Sequence, residues 1–129
     1  MLSQNTRNKL SSIKKKICQL RDSQRNLLDT LLKPKAMVIG SYYKVYKTCS
    51  NANCCCKHGK KHGPYPALSI SLGGKQKIKM VRRGDIAATK RKAQAYQSYQ
   101  HALARFRKMN KEIDVLLESL KKEFLEEYE

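Results

Sequence analysis

The sequence predicts an α+β protein in which two long heptad-patterned helices flank a small, zinc-stapled β module. Three observations lead to this prediction. Apolar residues follow a heptad spacing towards both ends of the chain, that spacing stops in the middle, and the middle holds five of the six glycines and four of the five cysteines. The predicted segments are an N-terminal helix over residues 1–33, a basic Cys/His module over 34–83, and a long C-terminal helix or helix pair over 84–129.

The first helix is predicted from a heptad pattern that starts at Leu10. Alternating steps of three and four residues join Leu10, Ile13, Ile17, Leu20, Leu27 and Leu31, with Gln24 filling the missing step. This alternation is typical of a helix that buries one narrow face. Pro34 lacks an amide donor and disfavours a helical residue before it, so we expect the helix to run roughly from residue 4 to residue 32.

A longer pattern predicts the second helix. It passes through Tyr96, Tyr99, Leu103, Phe106, Asn110, Ile113, Leu117, Leu120 and Phe124. Asn110 would take a core position, where a polar residue costs stability and can fix the register. The alternative is a break near Met109 that divides the segment into two helices. The two patterns together favour an antiparallel helical hairpin or coiled coil, and residues 96–127 are also a predicted site for a second copy or a protein partner.

The central module is predicted to contain a strand and a hairpin. Residues 41–47 alternate as a strand, with Tyr42, Lys44 and Tyr46 on one face and Tyr43, Val45 and Lys47 on the other. Residues 68–80 have the pattern of a hairpin around two glycines. A three-residue loop, Gly73 to Lys75, would pair Ile70 with Ile78 and close an apolar face, whereas a two-residue loop would mix the faces. We therefore expect the three-residue loop.

Clustered Cys and His residues predict a metal site between residues 49 and 62. In a protein that stays inside the cell, such clusters bind metal more often than they form disulfides. Zinc prefers four thiolate or imidazole ligands in a tetrahedron. The preferred ligands are Cys49, Cys54, Cys56 and His62. Cys54 and Cys56 alternate to one side while Cys55 points away, although Cys55 or His58 could replace a member of the set.

These residues belong to a longer pattern. It consists of Gly40-Ser41, the spacing Cys49-x4-Cys54-x-Cys56, the run His62-Gly63-Pro64-Tyr65, and Gly73-Gly74-Lys75. The pattern resembles a family of small prokaryotic proteins of unassigned function, and the resemblance covers residues 40–82. It implies the same four ligands with Cys55 as an addition, and it implies no activity. Pro66 departs from the pattern, since the family has Tyr after the His-Gly-Pro-Tyr run.

The charge distribution indicates a polyanionic partner. Lys and Arg number 28 against 10 Asp and Glu, a formal net charge of +18, and residues 33–83 carry twelve cations and no acid. Such a surface binds phosphates through charge and counterion release. The interleaved tyrosines can stack on unpaired bases, which favours RNA over DNA. The alternative, favoured for Tyr43, Tyr46 and Tyr65, is that they pack around the metal and the hairpin. The expected contact residues are Lys14, Lys15, Arg21, Tyr42, Lys44, Lys47, Lys57, Lys60, Lys61, Lys75, Lys77, Lys79, Arg82, Arg83, Lys90 and Arg91.

Other classes of protein are disfavoured. A zinc with four protein ligands is a closed, structural site, and the module has no carboxylate to act as a general base, so no catalysis is expected. No apolar stretch approaches the roughly 20 residues that span a bilayer, and the N-terminus lacks the core of a secretion signal, so we expect a cytoplasmic protein with no membrane partner. The alternatives are a DNA-binding accessory protein of a mobile element and an adaptor or structural subunit.

Overall fold

The structure, a computed structural model, describes residues 3–128 of the chain. It contains two long helices and a three-stranded antiparallel sheet, which confirms the predicted α+β class. The elements in chain order are α1 (Gln4–Leu32), β1 (Ser41–Lys47), β2 (His62–Leu72), β3 (Lys75–Met80) and α2 (Ile86–Phe124), with short 3₁₀ turns at Cys55–His58 and Arg83–Asp85.

The chain divides into two compact units. The helical unit consists of the residues up to Pro34 and those from Gln100 onward, and the sheet unit is Lys35–Tyr99. Among the described residues, no helix is both long enough and apolar enough to cross a membrane.

Helix α1 has the bounds that the sequence predicts. The side chain of Ser3 accepts a hydrogen bond of 3.2 Å from the amide of Thr6 and so caps the first turn. The helix ends at Leu32, because Lys33 adopts the extended backbone that a following proline favours. All seven predicted core positions, from Leu10 to Leu31, are buried or half-buried. One face of α1 is therefore covered along its length.

Two polar contacts show that α1 and α2 run antiparallel within the helical unit. Gln24 donates a hydrogen bond of 2.6 Å from Nε2 to Oδ1 of Asn110, and its Nε2 also lies 3.4 Å from the carbonyl oxygen of Phe106. Nearer the start of α1, Lys9 forms an ion pair of 2.6 Å with Glu123. A residue near the start of α1 thus contacts a residue near the end of α2, and a later residue of α1 contacts an earlier residue of α2. Asn110 pairs with the polar position of the first pattern, and α2 passes it without a break.

Towards the C-terminal end of α2, some of the residues predicted to be buried are exposed. Ile113 is half-buried, but Leu117 is 50% exposed and Phe124 is 57% exposed. Leu116, which the predicted pattern does not include, is half-buried, and so is the predicted position Leu120. An α-helix has 3.6 residues per turn, so a strict seven-residue pattern rotates by about 20° per heptad unless the helices supercoil. This rotation leaves large apolar side chains in solvent.

The cross-strand register sorts the sheet residues onto two faces, since neighbouring partners in an antiparallel pair point to the same side. The alternation predicted for β1 holds as far as Val45, where a bulge precedes Lys47. The face that we call the lysine face carries Tyr42, Lys44, Pro66, Leu68, Ile70, Leu72, Lys75, Lys77 and Lys79. The face that we call the uncharged face carries Ser41, Tyr43, Val45, Tyr65, Ala67, Ser69, Ser71, Gln76, Ile78 and Met80.

The turn between β2 and β3 shows that the predicted three-residue loop was wrong. Leu72 pairs with Lys75, so the turn consists only of Gly73 and Gly74. Both glycines have positive φ, 58° and 79°, as a two-residue turn with two left-handed positions requires. Every residue of β3 is exposed. The hairpin therefore closes no apolar face, and the geometry of the turn sets the register instead.

The core of the sheet unit is small. Its most buried apolar residues include Ala67 at 0% exposure, Leu68 at 5% and Ala93 of α2 at 2%. On the lysine face, the ammonium group of Lys90 in α2 lies 5.7 Å from the centre of the Tyr42 ring, which is within the range of a cation–π contact. The first turns of α2 therefore contact the lysine face at β1.

Side-chain and backbone hydrogen bonds attach the segment before β1 to α2. The Val38 amide donates to the carbonyl oxygen of Lys92 at 3.1 Å. Nε2 of Gln97 lies 3.2 Å from the carbonyl oxygen of Gly40 and 3.2 Å from the hydroxyl of Ser41. Gly40 has a φ of 132°, and a Cβ there would lie 2.8 Å from a carbonyl oxygen of β2, so the position requires glycine.

Candidate functional site

The Cys/His cluster lies where β1 ends and β2 begins. Cys49 follows β1 by two residues, and His62 is the first residue of β2. Lys47 and His62 are partners in the register, which brings the two ends of the connecting loop together. Cys54 and Cys56 lie within that loop, at the start of the 3₁₀ turn. The hairpin of β1 and β2 thus positions all four predicted ligands.

The donor atoms of Cys49, Cys54, Cys56 and His62 all lie within 4.8 Å of one another. The Sγ atoms of Cys49 and Cys56 are 3.5 Å apart, and Sγ of Cys54 is 3.2 Å from Nε2 of His62. Two sulfurs that each lie about 2.3 Å from one tetrahedral metal would be about 3.8 Å apart. The four side chains are therefore close enough to bind one metal ion.

The two residues that were alternatives for this set lie outside the cluster. Cys55 and His58 are exposed, whereas Cys56, between them, is 3% exposed. A 3₁₀ turn has three residues per turn, so adjacent side chains point in different directions and Cys55 cannot share the orientation of Cys56. Cys55 thus lies outside the cluster, as predicted, but a 3₁₀ turn accounts for this and not the alternation of an extended chain.

Gly63 allows β2 to begin close to β1. Its φ is 135°, and a Cβ there would lie 2.8 Å from the carbonyl oxygen of Val45 and 3.1 Å from the ring of Tyr46. The Gly63–Pro64 peptide bond that follows is cis. Any larger residue at this position would push the start of β2 away from β1, and His62 with it. The glycine of the His-Gly-Pro motif is therefore required to place the imidazole donor.

The thiol groups of the cluster differ in their affinity for protons. A hydrogen bond from the backbone amide of Cys56 is the main cause that lowers the pKa of Cys54 to about 6. The side-chain hydrogen bond with Cys56 raises the pKa of Cys49 above its ordinary value. The amide of Cys49 in turn donates to Sγ of Cys56 at 3.3 Å. Amide donors of this kind stabilise thiolates, which are the metal-binding form of cysteine.

The cations predicted to contact phosphate lie at several places on the sheet unit, and all of them are exposed. The lysine face carries Lys44, Lys75, Lys77 and Lys79. Lys47, Lys57, Lys60 and Lys61 lie in or beside the loop that holds the Cys/His cluster. Arg82 and Arg83 precede α2, and Lys90 and Arg91 lie in its first turns. Tyr42 is half-buried beside Lys90.

Three further predicted contacts, Lys14, Lys15 and Arg21, lie exposed on α1 in the helical unit. Nε of Arg21 lies 3.7 Å from the carboxylate of Asp22. An exposed pair of this kind contributes little to stability, so it leaves the guanidinium available for other partners.

A pocket at the end of the uncharged face was not predicted from the sequence. Its volume is about 270 Å³, and it is lined by Lys47, Thr48, Cys49, His62, Tyr65 and Met80. Met80 lies at this pocket because of the register of β3, in which it pairs with Ala67, and the predicted three-residue loop gives a different register. The Gly-Gly pair was the signal that would have given the correct register, because two adjacent glycines are typical of a two-residue hairpin turn.

Comparisons with known proteins place the chain in one family. No curated protein and no solved structure matches it. A family described as a domain of unknown function, DUF6788, matches residues 15–92, which is more than half of the chain. The matched region holds the whole sheet and all four residues of the Cys/His cluster, and it includes the pattern that resembles a family of unassigned function. The chain therefore belongs to the DUF6788 family.

Proposed function

We propose that this protein binds nucleic acid, and RNA in preference to DNA, through the basic surface of its sheet unit. The observation that carries the proposal is the charge of that unit. Between Lys35 and Tyr99 the sequence has fourteen Lys and Arg and one acid, Asp85. A compact unit with this imbalance repels itself unless a polyanion neutralises it, and nucleic acid is the polyanion that a basic surface most often meets.

The row of lysines on β3 supports contact with a phosphate backbone. Lys75, Lys77 and Lys79 point to the same face and are exposed. Alternate residues of a strand stand about 7 Å apart, so the row can contact successive phosphates of an extended strand. Such contacts give affinity with little sequence information. The other explanation is that these lysines only keep an edge strand from pairing with other chains, and it predicts no binding.

RNA is proposed over DNA because tyrosines lie among the cations. Tyr42 and Lys44 share the lysine face, and Tyr65 is 39% exposed on the opposite face. Aromatic rings beside cations suit unpaired bases, which RNA offers in loops and single strands. Lys14, Lys15 and Arg21 on α1 are proposed as further phosphate contacts. DNA binding, as by an accessory protein of a mobile element, is the outcome that would reverse this preference.

The metal of the Cys/His cluster is proposed to be zinc with a structural role. Three sulfurs and one imidazole nitrogen are donors that zinc prefers, and four protein ligands leave no open position for a substrate. Zinc would join the end of β1, the loop and the start of β2 into one rigid piece. Asp85 is the sheet unit's only acidic residue. We therefore propose no catalytic activity.

A second candidate function, an adaptor or structural subunit, is favoured by the acidic end of α2. There Val115 is 64% exposed, Leu117 is 50% exposed and Phe124 is 57% exposed. Residues 110–129 carry seven acids against three cations. Exposed apolar side chains on a charged helix are typical of a protein contact, either with a second copy or with another protein. Light scattering of the purified chain distinguishes a dimer from a monomer.

The proposed function is tested by a salt titration of binding. Single-stranded RNA and duplex DNA of equal length are titrated with the purified full-length protein at several salt concentrations. We expect affinity to fall steeply with salt, and the combined change of Lys57, Lys60 and Lys61 to Gln to weaken binding to many sequences. The matched control is the change of Lys111, Lys121 and Lys122 to Gln, which removes the same charge from α2. Binding that does not depend on salt would contradict the proposal.

A further inference from the structure

We infer that the pocket at the end of the uncharged face binds one unpaired nucleobase, so that the ligand of this protein is a single strand. This goes further than the proposed function, on which it rests, because it names the class of nucleic acid and the residues that contact a base. The pocket lies beside the Cys/His cluster, and none of its contacts with a base requires a charge.

The shape and the lining of the pocket suit a flat, partly apolar ring. Its volume of about 270 Å³ is open to solvent, and Tyr65 and Met80 supply its apolar part. Both side chains are accessible, with 39% of Tyr65 and 45% of Met80 exposed. Every base has a π-face that can stack on a tyrosine ring, and a thioether is polarisable and adapts to such a ring. One base can therefore lie against Tyr65 and Met80.

The polar groups of the pocket suit the edge of a base and the phosphate next to it. The hydroxyl of Thr48 can donate or accept a hydrogen bond, and Lys47 is one of the lining residues. Lys60 and Lys61 directly precede His62, which also lines the pocket. Cations for the phosphates thus lie in the lining of the pocket and within two residues of it in sequence.

The rest of the uncharged face supports a strand that turns its bases towards the sheet. The residues that the register places on it include no Lys, Arg, Asp or Glu. Gln76 donates a hydrogen bond of 2.7 Å to Ser69, and Ile78 is 55% exposed between Gln76 and the pocket residue Met80. An apolar side chain flanked by amide and hydroxyl groups suits a second base. A membrane surface would instead require cations on the face that it contacts.

The proposed pocket is tested with the full-length, zinc-loaded protein and three probes of equal length. These are an oligouridine of about 12 nucleotides, the same backbone without bases, and a duplex. We expect oligouridine to bind more tightly than the abasic strand. The change Tyr65→Leu should weaken oligouridine binding about tenfold or more and leave abasic binding unchanged, because stacking contributes per base. Tyr65→Phe should retain binding, and Tyr128→Leu is the control for the loss of an exposed tyrosine.

Two results separate the failure of this pocket from the failure of the proposed function. Absence of binding to all three probes would overturn both. Equal binding of the oligouridine and abasic strands would overturn the pocket alone and leave the phosphate contacts standing. Photocrosslinking of the unchanged protein to an iodouridine-substituted strand avoids any effect of Tyr65→Leu on folding. We expect the crosslink at Tyr65, and crosslinks confined to residues 75–79 would refute the pocket.

Discussion

The two units of this chain differ in both their charge and the interactions that hold them together. The helical unit has fourteen Lys and Arg against nine Asp and Glu, whereas the sheet unit has fourteen against one. In the helical unit, two helices meet along apolar positions that are centred on the hydrogen bond between Gln24 and Asn110. In the sheet unit, the most buried residues include Ala67, Leu68 and Ala93, which form a very small apolar core.

This difference leads us to expect that the sheet unit, more than the helical unit, depends on a ligand. A small module without a large apolar core is marginally stable and is commonly stabilised by a metal or a disulfide. The sheet unit has four donor atoms placed for a metal, and it also has a charge that it cannot neutralise from its own residues. Over its described residues, the helical unit has no such cluster of metal donors, and its excess of positive charge is much smaller. We therefore expect metal removal and charge removal to affect the sheet unit first.

Metal removal is expected to have the largest effect. Changing Cys54 and Cys56 to Ser should abolish binding of one zinc per chain and unfold the sheet unit, because structural zinc contributes about 10 kcal/mol to the folding of small modules. The helical circular dichroism of α1 should persist. Native mass spectrometry measures the zinc, and amide exchange measures the sheet unit. Cys55→Ser is the matched control and should keep the metal. A double variant whose sheet unit stays folded without metal would contradict the claim that this unit depends on metal and the helical unit does not.

Charge removal on the lysine face is expected to have the next largest effect. The combined change of Lys75, Lys77 and Lys79 to Gln would remove three of the proposed phosphate contacts, which corresponds to roughly a hundredfold loss of affinity at about 0.15 M salt. Fluorescence anisotropy with single-stranded RNA measures the loss, and zinc content and thermal stability should not change. Changing Lys14, Lys15 and Arg21 in the helical unit should weaken binding less. An equal loss from the two sets would assign binding to both units.

A glycine substitution beside the metal site is expected to have a moderate effect. Gly63→Ala combines an unfavourable φ with a Cβ that would lie 2.8 Å from a carbonyl oxygen. Gly59→Ala has a φ of 107° but meets no atom within 4 Å, so it is the control for backbone strain alone. Strain of this kind costs about 1–3 kcal/mol. We expect Gly63→Ala to lower the stability of the sheet unit and its zinc affinity more than Gly59→Ala does.

The smallest expected effect concerns the polar pair of the helical unit. A double-mutant cycle with Gln24→Leu and Asn110→Leu should give a coupling of about 1 kcal/mol, because a partly exposed hydrogen bond contributes little net stability. Thermal unfolding followed by helical circular dichroism measures the coupling. Zinc content should be the same in all four proteins. Loss of zinc from either single variant would show that the two units do not unfold independently.

The helices could be predicted from the sequence because their signals are local. The spacing from Leu10 to Leu31 repeats every turn or two, and Pro34 ends the first helix through its own chemistry. The convergence of Cys49, Cys54, Cys56 and His62 could also be predicted, since a chemical preference for four donors selects among few candidates. The pairing of Gln24 with Asn110 agrees with the matching polar steps in the two patterns.

The hairpin register could not be predicted by the same reasoning. The predicted three-residue loop places Ile78 opposite Ile70 on a closed apolar face, but the whole of β3 is exposed. With no burial to specify the register, the backbone preference of Gly73 and Gly74 decides it. The pocket between Tyr65 and Met80 depends on that register, so no pattern within either segment alone indicates it.

Crosslinking of the intact protein in its own cells tests the proposed nucleic-acid binding most directly. After ultraviolet crosslinking, the protein is purified under denaturing conditions, its bound nucleic acid is sequenced, and the crosslinked peptides are mapped. We expect RNA, with crosslinks within residues 35–99. Recovery of no nucleic acid, or crosslinks confined to residues 100–128, would contradict the assignment of binding to the sheet unit.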